Sequence, residues 1–303
     1  MKTKCVGAMR RTVLGALALC VCAAPTPTRG QIVIHACVKS ESGALRVIPV
    51  DETCKRNEYP LTLRGSGCPD DSVAVGSTCV DKYEASVWEI ASDNATLIAK
   101  VKGGSVTLDD LQAAGATQRG AGADDYTCSD TSNDCNAKEY AVSVAGVIPA
   151  RFVTWFQAQQ FCRLAGKRLV ANAEWQAAAA GTPDDAPCVV DDSAPGLTGT
   201  AGCVSNAGAF DMVGNVSEWV GDWSLPANSC SSGLYEPRDD NCMMIDWIGG
   251  LVVPGPAALI RGGYFSPGGG VSVYVGRDAG VFAVNSLHQP SFTSLALGFR
   301  CAR

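Results

Sequence analysis

The sequence predicts an α+β fold with little regular secondary structure, rich in disulfides and preceded by a small N-terminal β-hairpin module. Three observations lead there. Twelve of the 15 cysteines follow the first 24 residues. Apolar residues recur at helical spacing in two stretches only, one after Thr154 and one after Asn172. Beyond residue 181 the chain is mostly Gly, Asp, Ser and Pro broken by short apolar runs, the composition of short strands joined by loops.

The N-terminus reads as an export signal. Lys2, Lys4, Arg10 and Arg11 precede an apolar, small-residue run over residues 12–24. That run is about 13 residues long against the ~20 needed to cross a bilayer, so residues 1–24 form a signal peptide, cleaved between 23 and 30, and no membrane span is expected in the mature chain. The chain is thus expected in the periplasm, at the cell surface or outside the cell. The whole sequence has 24 basic and 30 acidic residues, and loss of those four basic residues leaves 20 against 30. A chain this acidic has no electrostatic footprint for nucleic acid.

An even number of cysteines in an exported chain favours disulfides over zinc or reactive thiols. Spacing alone does not fix connectivity. Pairing sequence neighbours gives Cys37–Cys54, Cys68–Cys79, Cys128–Cys135, Cys188–Cys203 and Cys230–Cys242, which leaves Cys162 with Cys301.

Residues 31–66 read as the hairpin module: β-branched residues alternate around Cys37, Ser42-Gly43 supplies the turn, and Cys37–Cys54 staples a unit too small to bury a core alone. Residues 64–67 read as a linker, and 68–303 as one domain. Its early strands fall at 73–75, 79–84 and 87–88. The Gly-, Asp-, Ser- and Thr-rich stretch at about 90–150 reads as an insertion tied by Cys128–Cys135. Thr154 caps a helix whose apolar face is Trp155, Ala158, Phe161, Cys162 and Ala165, stopped by Gly166. Asn172 caps a second helix over 173–180, ended by Gly181-Thr182-Pro183.

Five motifs occur in order: Gly166-Lys167-Arg168-Leu169, Ala173-Glu174-Trp175, Phe210-Asp211-Met212-Val213-Gly214-Asn215-Val216-Ser217-Glu218-Trp219, Ile260-Arg261-Gly262-Gly263 and Leu297-Gly298-Phe299-Arg300-Cys301. This set resembles the formylglycine-generating enzyme, or sulfatase-modifying factor, family over about residues 68–303. The resemblance implies a C-type-lectin-like fold and also the long-range Cys162–Cys301 bridge. It implies a structural calcium site built from the side chains of Asp211 and Glu218 and the carbonyls of Gly214 and Val216. The donor types suit calcium, which takes six to eight oxygens; the alternative is a purely structural turn in which Glu218 accepts backbone N–H groups. Arg261 and Arg300 are expected to be buried anchors rather than substrate ligands.

The family's oxidase holds Cu(I) between two cysteine thiolates upstream of the final motif. This chain has no cysteine between Ile260 and Gly298, and Gly268-Gly269-Gly270-Val271-Ser272 stands there instead. A hydroxyl does not replace a thiolate on Cu(I), so no copper is expected. A relative's iron site needs three histidines, and only His35 and His288 exist. The segment before the final motif resembles the binding face of lectin-like members of the family, including target proteins of diversity-generating retroelements. The candidate ligand-binding residues are Tyr264, Phe265, Asn285, Ser286, Leu287, His288, Ser291, Phe292 and Thr293, a mixture of aromatic and small polar groups suited to adaptable contacts. The alternative is that Phe282 and Phe292 fill the core and the rest is loop. Trp155, Trp175 and Trp219 read as core, whereas Trp223 and Trp247 are candidates to line a groove.

The function expected from the sequence is non-catalytic recognition of a protein, peptide or glycan through the 264–294 surface. The alternatives are a formylglycine-generating oxidase with displaced cysteines and a structural envelope protein.

Overall fold

A computed structural model describes residues 33–40, 42–49, 51–64, 67–135, 138–227, 229–232, 240–244, 256–266 and 279–303. The signal segment and its cleavage region, Gly65-Ser66, Trp247, residues 267–278 and the side chain of Cys230 lie outside the described residues. The chain divides into two compact units, Met1–Leu63 and Arg64–Arg303.

In the first unit, β1 (Val33–Lys39) pairs antiparallel with β2 (Leu45–Ile48), Cys37 lying opposite Arg46. The module is more than a hairpin, because β3 (Glu58–Arg64) completes a sheet of order β2-β1-β3. An isolated two-stranded hairpin is marginal in water, and a third strand adds the missing partner. Ala36, Cys37, Val38 and Ile48 form its small buried centre, and Cys37–Cys54 closes it.

The second unit begins with β4 (Ser72–Val75), β5 (Thr78–Asp81) and β6 (Ser86–Glu89). Then come α1 (Ala95–Gly103), α2 (Leu108–Ala113), β7 (Thr117–Arg119) and β8 (Glu139–Val142). The stretch expected as an insertion is therefore part of the core. Its two strands flank β6 in the order β7-β6-β8, and Val101, Leu111 and Tyr140 are buried with Val87 and Trp88. Sparse apolar residues in a polar stretch hide this, since pairing with β6 is a long-range contact.

Next come α3 (Trp155–Leu164), β9 (Arg168–Leu169) and α4 (Asn172–Ala179). The start of α3 is local chemistry: Thr154 Oγ1 accepts the Gln157 amide at 3.1 Å and Gln157 Oε1 accepts the Thr154 amide at 3.0 Å. This reciprocal box satisfies two N–H groups that the first turn leaves open. α4 starts one residue earlier than expected. Ala171 occupies the cap position, its amide donating to Glu174 at 3.0 Å, while Asp222 accepts the Asn172 amide at 2.6 Å.

The remaining elements are strands: β10 (Ser217–Ser224), β11 (Ser229–Ser232), β12 (Asp240–Met244), β13 (Ala257–Arg261), β14 (Val284–Asn285), β15 (Leu297–Phe299) and β16 (Cys301–Ala302). Six of them form a sheet of order β11-β12-β14-β13-β10-β15, and β16 joins β4-β5-β16-β9. Two of the motifs meet in the larger sheet, where β10 runs parallel to β15 with Glu218 opposite Gly298. A side chain at Gly298 would collide with the Ala150 carbonyl and Val216, which is why that position carries glycine.

Disulfides Cys37–Cys54, Cys68–Cys79, Cys128–Cys135, Cys162–Cys301 and Cys188–Cys203 are formed. Cys242 is also disulfide-bonded, and the β11–β12 pairing brings the Cys230 backbone beside it. Cys162–Cys301 joins α3 to β16 across 139 residues. Among the described residues, no helix is long and apolar enough to cross a membrane.

Candidate functional site

The loop from Asp211 into β10 is wound tightly: Asp211, Gly214 and Asn215 all adopt left-handed backbone angles, φ 56°, 73° and 54°. Glycine is required at 214, where a Cβ would strike the Val189 carbonyl. Asn215 holds the turn from inside. Its Oδ1 accepts the Gly196 amide at 2.8 Å, its Nδ2 donates to Glu84, and its carbonyl accepts the Phe265 amide at 3.0 Å.

The expected calcium positions thus share one buried turn, and their carboxylates already have partners. Asp211 Oδ2 accepts the Gly199 amide at 2.6 Å and Oδ1 the Thr200 amide at 3.1 Å. Glu218 Oε1 lies 2.8 Å from Arg300 Nη2, and Oε2 accepts Trp175 Nε1 at 2.7 Å. Arg300 also donates to the carbonyls of Asp81 at 2.9 Å and Phe210 at 2.7 Å. Glu84 Oε1 accepts the Val216 amide at 3.1 Å.

Three buried carboxylates, Glu84, Asp211 and Glu218, therefore face one buried guanidinium. Burial, with the charges of Asp211 and Glu218 adding to it, pushes the Glu84 carboxyl well above its ordinary range. Burial likewise raises Asp211, against the opposing Gly199 and Thr200 hydrogen bonds. The donor types are all oxygen, as a hard divalent cation prefers, but Glu84, Asp211 and Glu218 do not bring one oxygen each within 4.8 Å of one another. An ion there would share Glu218 with Arg300 and depend on the Gly214 and Val216 carbonyls. Among the described residues, the one group of three His, Cys, Asp or Glu donors within 4.8 Å of one another is Cys37, Cys54 and Glu58, and its sulfurs are bridged.

The expected ligand-binding residues divide into two sets. Phe265 is 4 % exposed, its backbone bonded to Asn215 and Asp192. Ser286 is fully buried, donating through Oγ to the Cys242 carbonyl at 3.1 Å. Neither belongs to a binding face: Phe265 is held inward by its backbone bonds to Asn215 and Asp192, and Ser286 follows β14, which sits between β12 and β13. Ser291 is exposed, and Tyr264, Asn285, Leu287, His288, Phe292 and Thr293 are half-buried. His288 stacks on Phe292 with ring centres 3.9 Å apart, and Phe292 packs against the main core, so this pair belongs partly to the scaffold. Phe282, the other expected core ring, is 37 % exposed.

Arg261 and Arg300 are buried, and Arg261 lies over Trp175 at 4.7 Å from the ring centre. Trp175 and Trp219 are core residues, Trp155 is half-buried and Trp223 is exposed.

Sequence reasoning misses Glu84 and a second buried ion network. Lys167 Nζ lies 2.8 Å from Asp71 and 2.7 Å from Asp81, and Arg303 Nη1 lies 2.8 Å from Asp71. Lys167 belongs to one of the five motifs; nothing local marks its partners.

The fold and the motif geometry define a sulfatase-modifying-factor domain. The chain matches the sulfatase-modifying factor enzyme 1-like domain over residues 106–196 and 199–303, and it belongs to that family. It is similar to the formylglycine-generating enzyme of Streptomyces coelicolor (strain ATCC BAA-471 / A3(2) / M145), 28% identical over 180 residues, which are 51% of this chain and 52% of the relative. The chain thus spans about half the length of the curated relative it matches. Among solved structures it is similar to the Major Tropism Determinant P3c variant, with TM-score 0.41 and 14% identity over 90% of this chain and 72% of that one. The M1 variant follows at TM-score 0.37 and 14% identity, over 90% and 71%.

Proposed function

We propose that this chain is an exported, non-catalytic sulfatase-modifying-factor protein. In this reading it recognises a protein, peptide or glycan through the exposed part of the 264–294 surface, on a scaffold stabilised by calcium at Asp211, Gly214, Val216 and Glu218. The observation that carries the reading is the state of its sulfur. Among the described residues eleven cysteines are disulfide-bonded, and the sequence has none between Ile260 and Gly298, where the resemblance implies the oxidase's two copper thiolates. Cu(I) needs soft thiolate ligands, and a disulfide sulfur is not one. Five bridges also suit an oxidising compartment outside the cytoplasm.

The test is to count free thiols in the purified mature protein by alkylation under denaturing conditions and intact mass. Zero is the expected result. Two or more thiols that also react in the native protein, together with copper-dependent oxygen uptake on a cysteine-containing peptide, would replace binding by oxidation.

A further inference from the structure

A groove of about 420 Å³ lies between α3, β9, the start of α4 and β10. It is lined by Trp155, Gln159, Arg168, Glu174 and Asp222, and by the backbone at Gly221. Its size falls within the ~300–1,000 Å³ of small-ligand sites. Beside it stands Trp223, 46 % exposed at the end of β10 where the strand leaves the core. This indole is set rigidly. Trp155 meets it edge-on at 5.1 Å and Phe156 at 6.1 Å, and Trp155 is itself anchored by donating Nε1 to the Val220 carbonyl at 2.8 Å. A rigid tryptophan left half open to water gives up hydrophobic stabilisation that burial would supply, unless a ligand covers it.

The polar lining is pre-arranged as well. Arg168 and Glu174 form a two-pronged pair at 2.7 and 2.6 Å. Asp222 uses Oδ2 on the Asn172 amide, and Gln159 accepts the Leu169 amide through Oε1, so its NH₂ group remains to donate. Planar carboxylate, guanidinium and amide groups beside an aromatic face are what a sugar ring requires. Its C–H face lies on the indole, and its hydroxyls, each donor and acceptor, bridge the planar side chains. The lining carries one cation and two anions, Arg168 against Glu174 and Asp222, which disfavours an anionic ligand.

The elements beside the groove are bonded to the segment that carries the expected binding residues. The Trp155 amide donates to the Pro290 carbonyl at 2.9 Å. Trp223 pairs across the sheet with Ala258, whose amide donates to the His288 carbonyl at 3.1 Å. We infer that this groove, with Trp223 as its stacking platform, binds a neutral oligosaccharide. The inference rests on the ligand-binding reading above and names its ligand class.

The experiment titrates the full mature chain with cellotriose, chitotriose and xylotriose, following tryptophan fluorescence and heat. A proline-rich peptide and a trigalacturonate serve as the competing chemistries. At least one neutral trisaccharide is expected to saturate with a Kd no weaker than about 1 mM. Trp223→Ala should weaken it at least ~10-fold in a protein that still melts cooperatively, while Trp223→Phe, which keeps a ring against Trp155, keeps part of the affinity. Asp222→Asn, whose side-chain oxygen can still accept the Asn172 amide, should weaken binding as well. No saturation by any of the three sugars, tighter binding of the peptide or the anion, or wild-type affinity in Trp223→Ala each overturns the inference. A peptide whose binding responds to Leu287→Ala and not to Trp223→Ala would sink the sugar groove and leave the broader binding reading standing.

Discussion

Arg300 and Glu218 form a fully buried ion pair that joins two motifs 82 residues apart, with Nη2 2.8 Å from Oε1. The pair locks β10 to the C-terminal strands while Arg300 gathers the Asp81 and Phe210 carbonyls. Removing one partner strands the other charge in the interior. Glu218→Ala is therefore expected to cost about 3–5 kcal/mol in urea unfolding, well beyond the loss from a surface pair.

Lys167 poses a similar test with a pH signature. Burial lifts the Asp81 carboxyl to about 6, against the pull of Lys167. Burial also pushes Asp71 up, but Lys167 and Arg303 outweigh it and leave Asp71 below its ordinary value. A raised carboxylate opposes folding above its folded pKa, and that opposition is relieved as pH falls from about 6 towards 3.8. Asp71 acts in reverse, stabilising above 3.8 and losing that contribution below it. Asp81→Asn should thus flatten the stability profile between pH 6 and 4, measured by thermal melts in a buffer series. Lys167→Met should steepen it, because Asp81 loses its counter-ion.

The Cys162–Cys301 bridge closes a loop of 139 residues. In the chain-entropy account, removing it as the double Cys→Ala variant costs about 4–5 kcal/mol, more than for any of the short loops. Denaturant midpoints of the bridge variants, compared pairwise, check the order.

The proposed calcium site at the Asp211 turn predicts that stability depends on free metal. At ~100 times its Kd, calcium is expected to add about 2.7 kcal/mol, read as a rise in melting temperature that a chelator reverses. Asp211→Ala should melt at one temperature with and without calcium. A wild-type protein indifferent to calcium would remove the ion from the proposal.

The division of the 264–294 residues predicts opposite outcomes for neighbours in sequence. Phe265→Ala should cost about 3–5 kcal/mol by leaving a cavity, whereas Ser291→Ala should stay within about 0.5 kcal/mol and change only ligand affinity.

Local features are legible in the residues themselves. Thr154 and Gln157 announce the start of α3 because a capping box is made within four residues. Gly166 and Gly214 mark backbone turns that side chains resist. The stretch at 90–150 shows little sign of its strands, because β7 and β8 are buried by pairing with β6, whereas Leu97 and Val101 stand one helical turn apart on α1. Glu84 gives no signal at all, since the Asn215 that holds it lies 131 residues away. Ser286 reads as surface because nothing nearby in the chain shows that β14 is enclosed on both sides, and Phe265 because the Asn215 and Asp192 that hold it are far away in sequence.

Residue identity alone specifies the family motifs, the cysteine complement, the lack of thiols between Ile260 and Gly298, and the capping box of α3. Each of these is a matter of which residue stands where, or of contacts within one turn of chain. Three-dimensional packing sets the rest: which carboxylates share Arg300, which residues of the last segment face water, and that Trp223 stands open beside a polar groove. Burial and charge compensation depend on groups that meet across the sheet, and no local pattern encodes that meeting.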